Sequence, residues 1–128
     1  MSSGSTATIE GSATIFVVRD LQASISFYRD LLGFHLEFTY GQPPMYAGVE
    51  RGSLLIHLQL QSDRTKRQPG HGAFYAFVDD VDGLYAEFKA KGVTLPNEPR
   101  DYPYGMRDFF FFDPDGNQLS FGAGAKGK

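Results

Sequence analysis

The pattern of apolar and polar residues occurs twice along the chain, with an offset of 60 positions. An apolar segment that ends at residues 18–21 (VRDL) is matched by another that ends at residues 78–81 (VDDV). Each is followed by a stretch with helical spacing of apolar residues, and a glycine, Gly33 or Gly92, ends that stretch. Because a repeat of this length corresponds to a supersecondary unit, the sequence indicates two copies of one such unit.

Each copy is predicted to contain a strand, a helix and three further strands. Alternation with a period of two marks the strands, and apolar residues three or four positions apart mark the helices. The predicted strands are 13–19, 35–40, 45–50 and 53–61 in the first copy, and 73–78, 93–96, 107–112 and 117–122 in the second. The predicted helices are 21–32 and 81–91, capped by Asp20 and Asp80. The expected fold class is therefore α+β, built from two β-α-β-β-β modules.

These elements define a single domain with a tail at each end. Segments rich in serine, glycine and other polar residues mark the tails and the connection between the modules. The stretch 97–104 is expected to be irregular. The expected boundaries are a flexible tail at 1–12, a domain at 13–124 and a flexible tail at 125–128, the domain being divided into module one at 13–61, a linker at 62–72 and module two at 73–124.

Composition excludes several classes of partner. The chain has 128 residues, a net charge of −3 and no cysteine, and its one basic cluster, 64–67 (RTKR), lies in the polar linker. Because a protein that binds nucleic acid needs a clustered basic surface, we expect no nucleic-acid partner. No apolar run approaches the roughly 20 residues of a membrane span, and residues 1–12 lack the features of a signal peptide. We therefore expect no membrane partner and a cytoplasmic location.

Aromatic residues are numerous, with 12 Phe and 7 Tyr making up 15% of the chain. Because a buried tyrosine needs a partner for its hydroxyl group, some of the seven are expected to line a cavity or an interface. Residues 109–112 (FFFF) alternate across a predicted strand. Two of them should therefore lie in the core, and two should face a cavity or a partner subunit.

Three segments carry a family resemblance: 18–34 (VRDLQASISFYRDLLGF), 77–93 (FVDDVDGLYAEFKAKGV) and 110–121 (FFFDPDGNQLSF). In this order and spacing the chain resembles the vicinal oxygen chelate superfamily over residues 13–122. That superfamily includes glyoxalase I, extradiol dioxygenases, fosfomycin-resistance enzymes and bleomycin-resistance proteins. The resemblance implies that the paired modules form a cup-shaped, eight-stranded mixed sheet. Helices would cover its outer face, and a ligand cavity would fill its concave side.

The resemblance also indicates where the metal-dependent members hold their metal. Those positions fall on Ala13, His57, Ala73 and Ser120 of this chain. Alanine has no donor atom, a serine hydroxyl group is a poor ligand, and a catalytic metal normally needs three protein ligands. We therefore expect no metal site and no cofactor. The alternative left open is a reshaped site in which His71 or Gln59 joins His57.

Candidate ligand-binding residues come from the faces and turns of the predicted strands. In strand 53–61 three of the four leucines share one face with Ile56, so Leu55, His57 and Gln59 lie on the other face, which should face the cavity. Tyrosine and methionine residues flank two turns, where they would contact a planar ligand. Arg107 could bind a ligand carboxylate or form a structural ion pair, and the structural role is favoured. The candidates are Tyr40, Met45, Tyr46, His57, Gln59, Tyr102, Tyr104, Met106, Arg107 and Ser120, and none is predicted to be catalytic.

The functional prediction follows the metal-free members of the family. The chain resembles the bleomycin-resistance proteins most, and these are dimers that hold a drug in grooves between subunits without turning it over. We expect a homodimer that binds and sequesters an antibiotic or an aromatic metabolite without metal. Since residues 38–49 contain no acid, a nearly neutral ligand is expected. The alternatives are a metal-dependent lyase, isomerase or dioxygenase, and a domain that acts only by interaction.

Overall fold

The computed structural model describes residues 6–125, and this part of the chain contains two α-helices and eight strands. In chain order the elements are β1 (Thr14–Val18), α1 (Leu21–Ser26), β2 (His35–Tyr40), β3 (Tyr46–Arg51), β4 (Leu54–Leu60), β5 (Ala73–Phe77), α2 (Val81–Ala90), β6 (Arg100–Asp101), β7 (Met106–Phe112) and β8 (Gln118–Gly124). Residues 6–12 are exposed and have no regular secondary structure. The rest of the two expected tails, 1–5 and 126–128, lies outside the described residues. None of the described helices has the length and apolar character of a membrane span.

The strands form two four-stranded sheets with the same internal order. The first sheet has the order β1-β4-β3-β2 and the second has the order β5-β8-β7-β6. In each sheet the first strand of the module is parallel to the last, and the other neighbours are antiparallel. This shared topology confirms the two β-α-β-β-β modules and the α+β fold class. The eight strands are divided equally, so that each module contributes one mixed sheet.

One face of each sheet packs against the helix of its own module. Helix α1 contacts β3 and β4, and helix α2 contacts β7 and β8. Buried apolar residues of both modules join in one core cluster, which includes Phe16, Tyr28, Phe88 and Phe111. We call the opposite side of each sheet the open face. Because side chains alternate along a strand, it comprises Ile15, Phe38, Tyr46, His57 and Gln59 in module one and Tyr75, Phe77, Asp108, Phe110 and Ser120 in module two.

Both helices begin at the aspartate that the sequence predicts. Oδ1 of Asp20 accepts a hydrogen bond from the Ala23 N–H at 3.0 Å, and Oδ1 of Asp80 accepts one from the Gly83 N–H at 2.9 Å. The first N–H groups of a helix have no partner within it, so a short acidic side chain at this position stabilises the end. The repeated aspartates are therefore helix caps.

The first helix differs from its prediction in its last turn. Residues Phe27–Leu31 form a π-helical turn, so the predicted helix 21–32 is α-helical only over α1. The helix then ends as expected at Gly33, whose φ of 76° lies in the left-handed region that favours glycine. The Phe34 N–H donates to the Tyr28 carbonyl across this glycine at 2.9 Å. The wide turn was not visible in the apolar spacing, because it changes the hydrogen bonds rather than the buried face.

The prediction of a strand over 93–96 is wrong. The structure instead has the two-residue strand β6 within 97–104, a stretch expected to be irregular, and β6 pairs with β7. Pro96 and Pro99 explain the difference, because a proline has no backbone N–H to donate to a neighbouring strand. Pairing with β7 therefore begins only after the second proline.

Each helix contacts the turn between the last two strands of the other module. In module one, the buried Tyr28 donates its hydroxyl group to Asp113, which follows β7, at 2.9 Å. In module two, Glu87 accepts two hydrogen bonds from Arg51, at 2.8 and 2.9 Å. The same guanidinium lies over the ring of Phe88, 5.9 Å from its centroid. The two modules are thus joined by reciprocal contacts, since the helix of each one bonds to the turn region of the other.

The turn after β7 is a hydrogen-bonded hub. The Asp113 carboxylate accepts from the Tyr28 hydroxyl group, from the Asp115 N–H, and from both the backbone and the side chain of Asn117, all at 2.9 Å. Burial raises the pKa of Asp113, and these hydrogen bonds act in the opposite direction. Asp115 in turn accepts from the Arg19 N–H at 2.9 Å. These acids fix the turn and the join between modules, which identifies them as structural.

Candidate ligand-binding site

On module one, the open face carries a group that we call the histidine cluster: Phe38, Tyr46 and His57. The Tyr46 hydroxyl group and Nδ1 of His57 are 3.0 Å apart and share a hydrogen bond. Both aromatic rings meet the imidazole edge to face at 5.4 Å between centroids. Phe38 reaches this position because Gly48 lies beneath it, where a Cβ atom would overlap the ring. The cluster combines aromatic surface with one polar pair, which suits a planar organic ligand.

On module two, the open face forms a concave site that we call the tyrosine pocket. Its volume is about 290 Å³, and its lining residues are Tyr75, Tyr102, Tyr104, Asp108, Phe110, Gln118 and Ser120. The rings of Tyr102 and Tyr104 stack with 5.3 Å between centroids. The hydroxyl groups of Tyr75 and Tyr104 both donate to Oδ2 of Asp108, at 2.8 and 2.9 Å. Asp108 is only 7% exposed, so its carboxylate forms the floor of the pocket.

Tyr75 reaches Asp108 by crossing the strand between them. Tyr75 lies on β5 and Asp108 on β7, while β8 separates these strands and places Gly122 beside Asp108. A Cβ atom at position 122 would overlap the Tyr75 hydroxyl group. Burial, followed by the hydrogen bond to Asp108, raises the pKa of both Tyr75 and Tyr104. Both phenols therefore remain protonated and act as donors to the carboxylate.

A larger cleft lies between the modules but has fewer polar groups. Its volume is about 620 Å³, and it is lined mainly by apolar residues, among them Leu54, Phe77 and Leu84. Arg51 also lines it, yet its guanidinium is already bonded to Glu87 and to the Leu32 carbonyl. Since ligand specificity comes from a few convergent polar groups, the open face is the better candidate.

The remaining candidates of module one lie at the edge of the histidine cluster. Gln59 is on the open face of β4, where its backbone pairs with that of Tyr46. Tyr40 and Met45 flank the turn between β2 and β3 and are 70% and 50% exposed. They are available for contact with a ligand or with a second subunit, and the structure assigns them no partner ring.

The remaining candidates of module two lie on both sides of β7. Met106 starts the strand, half-buried, outside the lining of the tyrosine pocket. Arg107 points to the helix side, where it donates to both oxygens of Asp82, at 2.8 and 3.0 Å, and to Asp101 at 3.2 Å. Asp108, the next residue of β7, lies on the open face instead. The guanidinium of Arg107 thus forms structural ion pairs with Asp82 and Asp101.

The positions that hold metal in the metal-dependent relatives do not suit a metal here. Ala13 and Ala73 supply no donor atom, and the Ser120 hydroxyl group accepts from the Gln118 amide at 3.3 Å. His71 lies in an exposed loop before β5. Within residues 6–125, no three His, Cys, Asp or Glu side chains converge as a metal site would require. Among the described residues, His57 therefore belongs to no group of three such side chains.

Five residues of these two sites were not among the candidates from the sequence: Phe38, Tyr75, Asp108, Phe110 and Gln118. Strand alternation contained the signal, because Phe109 and Phe111 are core residues and Asp108 must then face the other way. What the pattern lacked is the position of Gly122, which lets a tyrosine on β5 reach an aspartate two strands away.

Comparison with known proteins places the chain in a family. The family model described as the glyoxalase/bleomycin resistance protein/dioxygenase superfamily matches residues 11–121. A bleomycin resistance protein from Geobacillus stearothermophilus is 33% identical over 120 residues, which cover 81% of this chain and 89% of that protein. The chain therefore belongs to the glyoxalase/bleomycin resistance protein/dioxygenase superfamily.

Other relatives include both binding proteins and enzymes. The crystal structure of a bleomycin-binding protein from Streptomyces verticillus, in complex with copper(II)-bleomycin, aligns with a TM-score of 0.76 and 27% identity. That alignment covers 94% of this chain and all of the other. The metallothiol transferase FosB from Lysinibacillus sphaericus is 29% identical over 113 residues, covering 86% of this chain and 79% of that enzyme. The relatives thus support a binding function, although the family also contains enzymes.

Proposed function

We propose that this protein binds and sequesters a small organic molecule, an antibiotic or an aromatic metabolite, without using a metal. The observation that carries the proposal is the open face, where the histidine cluster and the tyrosine pocket offer aromatic walls with a few polar groups. This is the composition of a small-molecule site rather than of a metal centre. The binding-type relatives, the bleomycin resistance protein and the bleomycin-binding protein, support the same function.

The proposed protein is a cytoplasmic homodimer whose open faces cover one another. Large aromatic and apolar side chains lie on these faces although no described helix covers them: Ile15, Phe38, Tyr75 and Phe77 are 38%, 37%, 40% and 79% exposed. Exposed apolar groups that lie together mark an interaction surface. In the arrangement that we propose, the histidine cluster of one subunit faces the tyrosine pocket of the other. A ligand would then lie between two aromatic walls.

A ligand screen with purified protein tests the proposal. Planar aromatic antibiotics and metabolites are added to the metal-free protein, and the free energy of unfolding is measured by urea denaturation. A ligand present at 100 times its Kd should raise that free energy by about 2.7 kcal/mol. The matched variants are His57→Ala in the cluster and His71→Ala in an exposed loop. Binding should weaken in the first variant and persist in the second.

Metal analysis of the same preparation tests the enzymatic alternative. We expect zinc, iron, manganese and nickel to be far below one equivalent per chain, with or without His57. Near-stoichiometric metal that is lost in His57→Ala but kept in His71→Ala would contradict a metal-independent function. It would favour a lyase, an isomerase or a dioxygenase, in which metal polarises a carbonyl group or binds oxygen.

A further inference from the structure

The tyrosine pocket contains a buried acid whose hydrogen bonding is incomplete. Oδ2 of Asp108 accepts from two phenols, while among the described residues no donor is bonded to Oδ1. Every fully buried polar side-chain atom within residues 6–125 has a partner, so Oδ1 is not fully buried, and Asp108 lines the pocket. An ionised carboxylate can accept at about four lone-pair sites. Asp108 thus presents an acceptor oxygen to whatever fills the pocket.

Like Asp108, the two phenols that bond to it offer a ligand hydrogen-bond acceptors rather than donors. Tyr75 and Tyr104 use their O–H groups on Asp108, so each phenolic oxygen has only lone pairs left to offer a ligand. The stacked rings of Tyr102 and Tyr104 add the negative faces of their π systems. No Lys, Arg or His is among the lining residues. The nearest guanidinium along β7, that of Arg107, is bonded to Asp82 and Asp101.

We propose that the tyrosine pocket binds the ammonium group of an organic cation, with Asp108 as its counter-ion. This inference rests on the proposed binding function and specifies the class of ligand at one end of the site. An N–H of the ammonium group donates to Oδ1 of Asp108, and its positive charge lies against the tyrosine rings. Such charge-assisted hydrogen bonds are stronger than neutral ones, and cation–π contacts add to them.

An ammonium group fits this pocket better than a neutral polar group or an anion. An anion would meet a carboxylate and outward-facing lone pairs with no positive charge to balance them. A neutral ligand would leave the charge of Asp108 uncompensated after it displaced water, which is costly in a buried site. The volume of about 290 Å³ accommodates a small amine or the amino end of a larger ligand.

The experiment compares one cation with a neutral molecule of the same size. Benzylamine, protonated near neutral pH, and benzyl alcohol are titrated into the full-length protein by isothermal calorimetry. Benzylamine should bind at least about tenfold more tightly, as expected for a hydrogen bond between charged groups. Asp108→Asn should abolish the difference. Asp101→Asn is the matched control, because it removes the same charge from an exposed position on β6 outside the pocket, and it should keep the preference.

The outcomes separate this inference from the proposed function. Equal affinity for the amine and the alcohol, or a preference that survives Asp108→Asn, overturns the ammonium site while sequestration of other ligands stands. Failure of benzylamine to bind overturns it as well. If the ligand screen also finds no ligand, the proposed function fails with it. If Asp108→Asn does not fold, equal affinity of benzylamine and benzyl alcohol for the unmodified protein still overturns the ammonium site.

Discussion

Individual residues of the open face depend on two glycines for their positions. Gly48 lies under Phe38, and Gly122 lies under Tyr75, each where a Cβ atom would overlap the ring or the hydroxyl group. Neither glycine has a positive φ, so it is space and not backbone conformation that requires them. Both sites are therefore built on a gap in the sheet surface that lets an aromatic side chain lie flat across a strand.

Gly122→Ala tests whether Tyr75 needs the space left by the missing Cβ atom, because the substitution adds a single methyl group there. The new Cβ should displace Tyr75 and break its hydrogen bond to Asp108, with a loss of about 1–3 kcal/mol in the free energy of unfolding, as is typical of overpacking. Urea denaturation measures the loss, and benzylamine titration should show weaker binding. Gly124→Ala, on the same strand with nothing within 4 Å of the new atom, is the control. Equal stability of the two variants would contradict the assigned role of Gly122.

The residue scale also shows where sequence reasoning stops. Alternation along β4 placed His57 on the face opposite Ile56 and Leu58, which are buried. Alternation along β7 could assign Phe109 and Phe111 to the core. The same alternation places Arg107 on the helix side but does not tell which side chain pairs with it there. That partner, Asp82, lies in another element, 25 positions away. Contacts between distant elements are the part of the site that a single sequence leaves undetermined.

At the scale of elements, Arg51 joins the ends of both helices. It donates to the Leu32 carbonyl, after the first helix, at 2.8 Å and to both carboxylate oxygens of Glu87 on α2. The side chains of Arg51 and Glu87 are 38% and 40% exposed, so solvent screens their charges. The hydrogen bond from Arg51 lowers the pKa of Glu87 below its ordinary value of 4.5.

The lowered pKa of Glu87 predicts how the free energy of unfolding depends on pH. A lowered pKa in the folded state means that Glu87 stabilises the protein above the ordinary carboxyl pKa, and that this contribution is lost as the pH falls through the folded value. Glu87→Gln should therefore reduce stability by up to about 1 kcal/mol near neutral pH. The difference from the unmodified protein should vanish in acid. Urea unfolding across the pH range measures both.

Asp30→Asn is the matched control for the ion pair. Asp30 forms an ion pair with its neighbour Arg29 on an exposed surface, and among the described residues it makes no hydrogen bond to another element. Its removal should leave unfolding unchanged near neutral pH. If Glu87→Gln behaves in the same way at every pH, the Arg51–Glu87 contact does not stabilise the join between the modules.

Element boundaries were predictable where a local signal exists. The helix ends could be predicted from Asp20, Asp80, Gly33 and Gly92, because capping and left-handed conformations depend on nearby residues alone. The short strand β6 was not predictable, since two residues carry no periodicity and only pairing with β7 defines them. The π-helical turn belongs to the same class, because its hydrogen bonds leave no trace in the side-chain pattern.

At the scale of the whole molecule, the open faces predict assembly into a dimer. Phe77 is 79% exposed, so a charge at this position costs the folded subunit little. Phe77→Glu should raise the dimer dissociation constant more than tenfold, because a buried aromatic at an interface is often worth about 2 kcal/mol or more. Sedimentation equilibrium measures the constant. Gln68→Glu adds the same charge in the exposed linker and should leave the dimer intact.

Two results would contradict the proposed dimer. One is an unmodified protein that sediments as a monomer at all concentrations, and the other is a dimer that Phe77→Glu does not weaken.

The fold itself could be predicted from the sequence, because the internal repeat specifies two modules of identical topology. How the copies associate was not accessible, since the repeat says nothing about which faces meet.

The reciprocal contacts between the modules have a consequence for the covalent chain. Tyr28 of the first half is satisfied by Asp113 of the second, and Glu87 of the second is satisfied by Arg51 of the first. Neither half retains these partners by itself, whereas the connection at 62–72 takes no part in the exchange. Fragments separated by a cut in that loop would therefore be complementary pieces that reassociate, and a gene for either half alone would encode an incomplete core.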